Sequence, residues 1–161
     1  MISEKLLKEL NGQITAELWA SNLYLSMSYY MEHQGYSGFA QWLKVQSEEE
    51  REHAYDFANY ILSRGCEVKI DKIDVVPQGW GTPLELFEHV YQHECHISKL
   101  INKLMTSAKE EKDYATESFL WKYVIEQREE EENTSGVVDK LKKADKGGLL
   151  FIDAQLGRRE D

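Results

Sequence analysis

Residues 39–61 read FAQWLKVQSEEEREHAYDFANYI, and the spacing of their apolar and charged side chains indicates the fold class. Apolar side chains recur from Phe39 to Ile61 at the three- and four-residue intervals of one helical face. Glu50 and His53 interrupt the apolar stripe, and their i, i+3 spacing makes them neighbours on the same face. A carboxylate and an imidazole at core positions of a long helix indicate a helical protein with a charged group inside.

Three further stretches have helical periodicity and few helix breakers. Gly35 and Gly38 mark a short turn between the first two helices, and Asp113 is a candidate N-cap between the last two. The middle connection, from Gly65 to Thr82, is too long for a tight turn, so we expect a strap that runs along a bundle. The predicted helices, including a short apolar one near the C-terminus, span residues 3–34, 37–64, 83–112, 114–143 and 148–156.

These elements predict an all-α protein in which two antiparallel helix pairs are joined by one long crossover. The predicted architecture is a four-helix bundle with one long crossover and a short fifth C-terminal helix. The chain has 161 residues, the size of one domain, and residues 1–161 contain no repeat or low-complexity tract. Hydrophobic residues make up 42% of the chain, which is enough for a substantial core and rules out general disorder.

Charge and cysteine content exclude several classes of function. The 19 basic and 29 acidic residues give a formal net charge of -10, which argues against nucleic acid or an anionic membrane as a partner and suits cationic ligands. The two cysteines form no spaced motif, so neither a disulfide framework nor a cysteine zinc site is indicated. No apolar run approaches a membrane span and the N-terminus lacks a signal-peptide core, so we expect a cytoplasmic protein.

The apolar stripe of each long helix contains one carboxylate near its middle. At about 100° per residue these carboxylates are Glu17, Glu50, Glu94 and Glu130. Four carboxylates buried at one depth require a cation, because their desolvation and mutual repulsion would otherwise be prohibitive. Together with His53 they complete the carboxylate-rich set that holds two metal ions in such bundles. One imidazole among hard oxygen ligands suits iron or manganese better than copper.

At these residues the sequence resembles the bacterial members of the non-haem ferritin family, over nearly the whole chain. The resemblance implies a diiron centre as the catalytic site. Its first iron would be bound by Glu17, Glu50 and His53. Its second iron would be bound by Glu94 and Glu130, with Glu50 as the bridge between the two.

The resemblance also implies residues around this centre. Gln127 lies close to the second iron, and Tyr24, one helical repeat after Glu17, matches a tyrosine beside the family's centre; both are expected to take part in catalysis. Trp121 stands where bacterial ferritins also carry an aromatic residue. A third iron would be bound beside the pair by Glu49, Glu126 and Glu129, with Glu130 shared.

The function that the resemblance implies is iron storage with ferroxidase activity. Fe(II) would be oxidised by dioxygen or peroxide and stored as a ferric oxyhydroxide mineral inside a hollow cage of 24 identical subunits. In that cage the short fifth helix would line the four-fold contacts; alternatively, it caps the monomer. Haem is not expected, because Glu52 stands at the position of the haem methionine of bacterioferritins. Helix four also departs from bacterioferritins, since it carries Gln127-Arg-Glu-Glu130 in place of a second E-x-x-H.

Two clusters lie outside the core stripe. Three histidines of the third helix share a face that should lie on the outer side of the bundle, as a solvated or interface cluster or as a zinc site; they are His89, His93 and His96. Acidic residues crowd the turn between helices three and four, either as a polar turn or, by resemblance, as the lining of a channel that draws Fe(II) inward. These residues are Glu110, Glu111, Asp113 and Glu117.

Two other functions remain open at this stage. A diiron peroxidase or oxidase of a small substrate would use the same centre without mineral storage. A non-catalytic helical interaction module would require that the inward glutamates have been assigned to the wrong face. A DNA-protecting mini-ferritin is disfavoured, because such proteins place the metal site between subunits and this chain supplies a full set by itself.

Overall fold

The computed structural model describes all 161 residues and contains five helices and no strand. The helices are α1 (Glu4–His33), α2 (Ser37–Ser63), α3 (Pro83–Glu110), α4 (Tyr114–Lys143) and α5 (Lys146–Leu156). Packing pairs α1 with α2 and α3 with α4, and α5 packs against α2. The predicted all-α four-helix bundle with a long crossover and a short fifth helix is confirmed. None of these helices combines the length and the apolar character needed to cross a membrane.

Side-chain caps explain where four of the helices begin. Ser3 caps α1, Thr82 caps α3 directly before Pro83, and Asp113 caps α4, each by accepting a hydrogen bond from a backbone N–H of the first turn. The α5 helix begins two residues before its predicted start, because Asp145 Oδ1 accepts a 2.7 Å hydrogen bond from a first-turn N–H. Such caps satisfy the amides that lack a partner within the helix.

The long connection from residue 64 to residue 82 runs along the bundle as a strap, as predicted. The side chain of Asn11 on α1 holds it: the N–H of Lys69 donates to Asn11 Oδ1 over 2.7 Å, and Asn11 Nδ2 donates to a strap carbonyl. Trp80 buries its ring in the core at the far end of the strap. The strap is therefore held to α1 near its start and to the core near its end.

The apolar core consists of two clusters separated along the bundle axis. One cluster lies at the end where α5 docks and includes Met27, Phe39 and Phe87. The other lies at the opposite end and includes Leu10 and Phe57. Buried polar side chains contributed by all four long helices lie at intermediate positions along them; these are Gln13, Glu17, Ser21, Gln46, Ser47, Glu50, Glu94 and Gln127. This polar layer is where the candidate site is built.

A very close approach seats α5 on the start of α2. A Cβ atom added to Gly38 would lie 1.7 Å from the backbone oxygen of Asp153, so only glycine fits there. The N–H of Phe39 donates a 2.8 Å hydrogen bond to Asp153 Oδ1. Docking buries one side of α5, whereas Leu150 and Phe151 on its other side are 62% and 70% exposed.

Candidate metal centre

Glu17 on α1 and Glu50 and His53 on α2 form a converging set of ligand atoms. His53 Nδ1 lies 3.8 Å from Glu17 Oε2 and 3.4 Å from Glu50 Oε2. The two carboxylate oxygens are buried and accept no hydrogen bond. No other group of three or more His, Cys, Asp or Glu side chains has its ligand atoms within 4.8 Å of one another. Buried oxygens without donors are costly, and a divalent cation would satisfy them.

Neighbouring side chains contact the atoms of Glu17 and His53 that point away from the converging set. Gln13, one turn before Glu17, donates from Nε2 to Glu17 Oε1 over 2.9 Å. His53 Nε2 lies 2.8 Å from Glu126 Oε1 on α4, so the imidazole is turned with Nδ1 toward the two glutamates. A carboxylate behind a histidine is the usual means of orienting a metal ligand.

Protons and metal compete for these atoms. Burial alone would lower the pKa of His53, but hydrogen bonds to Glu126 and the proximity of Glu17 and Glu50 raise this pKa far above its usual range. Burial raises the pKa of Glu50, and the adjacent charge of Glu17 raises it further. The pKa of Glu17 is lowered despite burial, because Glu50 and His53 lie beside it. A metal ion bound at Nδ1 of His53 would therefore have to displace a proton.

Glu94 on α3 and Glu130 on α4 form the other side of the site. Tyr24 donates a 2.5 Å hydrogen bond to Glu94 Oε1, and Gln127 Nε2 donates a 3.0 Å hydrogen bond to Glu94 Oε2. Burial raises the pKa of Glu94 in spite of these donors. Glu130 is half-buried, and burial together with the charges of Glu94 and Glu49 raises its pKa to about 7.

One amide nitrogen joins the two halves of the site. Gln46 is fully buried on α2, and its Nε2 lies 3.4 Å from Glu50 Oε1, 3.3 Å from Glu94 Oε1 and 3.2 Å from Glu130 Oε2. Carboxylates from three helices thus converge on a single nitrogen. The four predicted inward carboxylates therefore lie around one polar layer, and their binding of two metal ions stays a prediction.

The residues predicted for a third iron do not converge on one point. Glu49 Oε2 lies 2.8 Å from a guanidinium nitrogen of Arg159, and Glu129 is exposed and makes no hydrogen bond or ion pair. Glu126 contacts His53, and Glu130 accepts a hydrogen bond from Gln46 Nε2. A third site at these residues stays a prediction.

Comparison with known proteins identifies the family. Residues 7–144 match the family described as Ferritin-like domain. The chain belongs to the ferritin family.

Several relatives extend over nearly all of this ferritin. A bacterial non-heme ferritin of Bacteroides fragilis is 60% identical over 159 residues, which cover 99% of this chain and 100% of that protein. A bacterial non-heme ferritin of Campylobacter jejuni is 38% identical, over 88% of this chain and 85% of that protein. The solved structure of an open pore ferritin from Archaeoglobus fulgidus has a TM-score of 0.97 at 43% identity, over 99% of this chain and 100% of that chain. The resemblance to bacterial non-haem ferritins is confirmed.

Sequence reasoning missed the amides that hold the carboxylates of this ferritin. Gln13 precedes Glu17 by four residues, and Gln46 precedes Glu50 by four residues. The signal was therefore present as an amide and a carboxylate one turn apart on the same face of both helices.

The prediction that three histidines lie on the outer side of the bundle is wrong for His93. His89 and His96 are exposed, but the ring of His93 packs 5.6 Å from Trp19 and 5.7 Å from Tyr24, measured between ring centroids. His93 Nε2 is buried and has no hydrogen-bond partner. Burial lowers the pKa of His93 to about 4, so its ring is neutral near pH 7. The helical angle placed this residue on the outer face, but the indole from α1 covers it.

The acidic turn between α3 and α4 is largely paired within the chain. Asp113 caps α4 and makes a bidentate ion pair with Arg64 at 2.9 and 3.0 Å. Glu117 lies 3.9 Å from Lys109, and Glu110 lies 3.8 Å from a lysine of α1. The polar-turn interpretation thus accounts for these contacts within one chain, and a channel would need other subunits.

Proposed function

We propose that this chain is an iron-storage protein with ferroxidase activity, which oxidises Fe(II) at the polar layer of the bundle and stores the product as a ferric mineral in a hollow homo-oligomer. The observation that carries the proposal is the convergence of two buried, unpartnered oxygens, from Glu17 and Glu50, on His53 Nδ1. The relatives named ferritin, at up to 60% identity, support the same function.

Fe(II) is the substrate, and the donor set suits it. Four carboxylates and one imidazole are hard oxygen and borderline nitrogen ligands, which favour iron over copper. Glu17, Glu50 and His53 would bind the first iron. Glu94 and Glu130 would bind the second, with Glu50 shared.

The residues of the site act mainly by positioning metal and moving protons. His53 gives up a proton as Fe(II) binds, because its contacts with Glu126, Glu17 and Glu50 raise its pKa and favour the protonated ring without metal. Dioxygen or peroxide accepts the electrons, and the carboxylates stabilise the added charge of the ferric product. Tyr24 and Gln127 hold Glu94 in place by donating to both of its oxygens. No nucleophile and no haem are needed.

The assembly that fits this function is a homo-oligomer, and we propose a cage of 24 subunits located in the cytoplasm. Leu150 and Phe151 of α5 are 62% and 70% exposed in one chain, and such a patch is suited to burial against other subunits. The interpretation of α5 as a cap for the monomer explains its buried side alone. A net charge of -10 would favour the approach of Fe(II) to the particle.

The second candidate function is a diiron oxidase or peroxidase of a small substrate, which would use the same ligands without storage. The third interpretation, a non-catalytic interaction module, required the glutamates to face solvent. Glu17, Glu50 and Glu94 are at most 2% exposed, so that interpretation is rejected.

One iron-loading experiment separates the remaining functions. Excess Fe(II) is added in air to chelator-treated protein, and iron per chain is determined together with particle size by gel filtration. A storage protein elutes as a large particle with far more iron than the two ions of a diiron centre. A small oligomer with two or three ions per chain would indicate an oxidase without storage.

A pair of variants ties the oxidation to the site. Glu50→Ala should abolish rapid oxidation of Fe(II), whereas Glu52→Ala, on an exposed face of the same helix, should leave the rate unchanged. Oxidation by Glu50→Ala at the parent rate would show that the site has been assigned wrongly.

A further inference from the structure

The tail that follows α5, residues 157–161, returns to α2 and places one guanidinium beside the centre. Arg159 Nη2 lies 2.8 Å from Glu49 Oε2, and Arg159 Nη1 donates a 2.9 Å hydrogen bond to Gln46 Oε1. The guanidinium stacks 4.6 Å from the centroid of the Trp42 ring. The side chain is only 17% exposed, so this contact is shielded from water.

The contact with Arg159 sets which way the Gln46 amide faces. Because its oxygen accepts from the guanidinium, its NH2 group points to the other side, where it meets Glu50, Glu94 and Glu130. A continuous chain of hydrogen bonds therefore runs from the C-terminal tail to three carboxylates of the proposed diiron centre. The donor atoms along this chain occupy carboxylate oxygens that a metal ion would also need.

We propose that Arg159 competes with metal ions for the acidic side of the centre: it holds Glu49 directly, and through Gln46 it holds Glu94 and Glu130 until a metal ion displaces the amide. The inference rests on the proposed function, because it takes Glu94 and Glu130 to be iron ligands, and it takes Glu49 to be a ligand of the predicted third iron. A metal ion at Glu49 would compete with the guanidinium for the same carboxylate. Loading of this side should therefore release the tail from α2.

A purely structural role is the competing explanation, in which stacking on Trp42 anchors the tail and has no connection with metal. The two explanations differ in what removal of the guanidinium does to metal affinity. If Arg159 competes, its loss strengthens binding, since the same charge no longer repels the incoming cation. If Arg159 only anchors the tail, affinity stays the same.

The test is a calorimetric titration of the chelator-treated, assembled protein with Co(II), which oxygen does not readily oxidise in such sites. Arg159→Gln should increase the Co(II) affinity of the sites formed by Glu49, Glu94 and Glu130 by about tenfold, which is the scale of a shielded, charge-assisted contact. Arg159→Lys keeps the charge but loses the planar arrangement of the guanidinium donors, so its Co(II) affinity should lie between those of Arg159→Gln and the parent. Arg158→Gln is the matched control, because it removes an equal charge from an exposed neighbour.

Hydrogen exchange of the tail supplies a second readout that does not depend on activity. Co(II) should accelerate amide exchange in residues 157–161 of the parent protein, whereas Glu49→Gln with Glu130→Gln should suppress this acceleration. Equal or weaker Co(II) binding by Arg159→Gln, or tail exchange that Co(II) does not change, would overturn the inference while leaving the diiron centre intact. Failure of the parent itself to bind Co(II) at the Glu50 site would instead refute the proposed function, and the inference with it.

Discussion

Replacement of Glu50 by glutamine should make the protein more stable without metal and less stable with it. Glutamine keeps the volume of the side chain, so no cavity forms, and its carbonyl oxygen can still accept from Gln46 Nε2, which lies 3.4 Å from Glu50 Oε1. What disappears is a charge in a side chain that is 2% exposed. The substitution therefore isolates the cost of burying that charge.

The size of the effect follows from the neighbours of Glu50. At an effective dielectric constant of about 20, attraction to His53 Nδ1 at 3.4 Å is worth about 5 kcal/mol. Repulsion from the Glu17 oxygen within 4.8 Å costs at least about 3.5 kcal/mol. These pair terms largely cancel, and further repulsion from Glu94 adds to the cost. The desolvation penalty remains, so we expect Glu50→Gln to add about 2 kcal/mol of stability, or about 4–8 °C in Tm for a chain of this size.

The pH dependence of this gain has a definite sign. Burial and the charge of Glu17 raise the pKa of Glu50 above its ordinary value of 4.5. A raised carboxyl pKa destabilises the folded state increasingly as the pH rises above the ordinary value. The advantage of Glu50→Gln should therefore grow from pH 4.5 toward neutrality.

The assay is thermal unfolding of parent and variant, in excess chelator and in Zn(II) at a hundred times its Kd. Metal should stabilise the parent by about 2.7 kcal/mol and Glu50→Gln by far less, so that the order of Tm values inverts. Glu52→Gln, exposed on the same helix, should change neither value by more than about 0.5 kcal/mol. If Glu50→Gln is less stable than the parent in chelator, the contact with His53 outweighs desolvation and the reasoning is refuted.

Three further predictions address the fold and the surroundings of the site. Gly38→Ala should destabilise the protein by about 2 kcal/mol and speed amide hydrogen exchange in α5. Gly136→Ala, with open space around its Cβ, should not destabilise the protein. Equal effects of the two substitutions would contradict the close approach of α5 to Gly38. Asp113→Asn keeps an N-cap but loses the ion pair with Arg64, and it is this pair that lowers the pKa of Asp113 in the parent. Chemical denaturation at pH 7 should show that the free energy of unfolding falls by about 1 kcal/mol. This difference should vanish as the pH falls below the ordinary carboxyl range, where the Asp113 carboxylate of the parent becomes protonated. Tyr24→Phe removes the hydrogen-bond donor to Glu94, a proposed metal ligand, and should weaken Co(II) binding about tenfold. An unchanged Co(II) affinity would show that Tyr24 does not support that ligand.

The helices and the polar layer within the bundle could be predicted from the amino-acid sequence. Helical periodicity is a local property, so the burial of Glu17, Glu50 and Glu94 at core positions follows from angles of about 100° per residue along single helices. The i, i+3 pair of Glu50 and His53 could be read in the same way. Caps such as Asp113 are equally local, because cap and first turn lie within a few residues.

The groups that hold these carboxylates in place could not be predicted from the sequence, because they come from distant parts of the chain. Glu126 meets His53 from 73 residues away, and Arg159 meets Gln46 from 113 residues away. The half-burial of His93 likewise depends on an aromatic ring of another helix. Periodicity specifies the face on which a side chain lies, but the partner on that face depends on how the helices pack and where the tail returns. A hydrogen bond forms only when its two atoms come within about 3 Å and an ion pair only within about 4 Å, and no pattern within one helix encodes these distances.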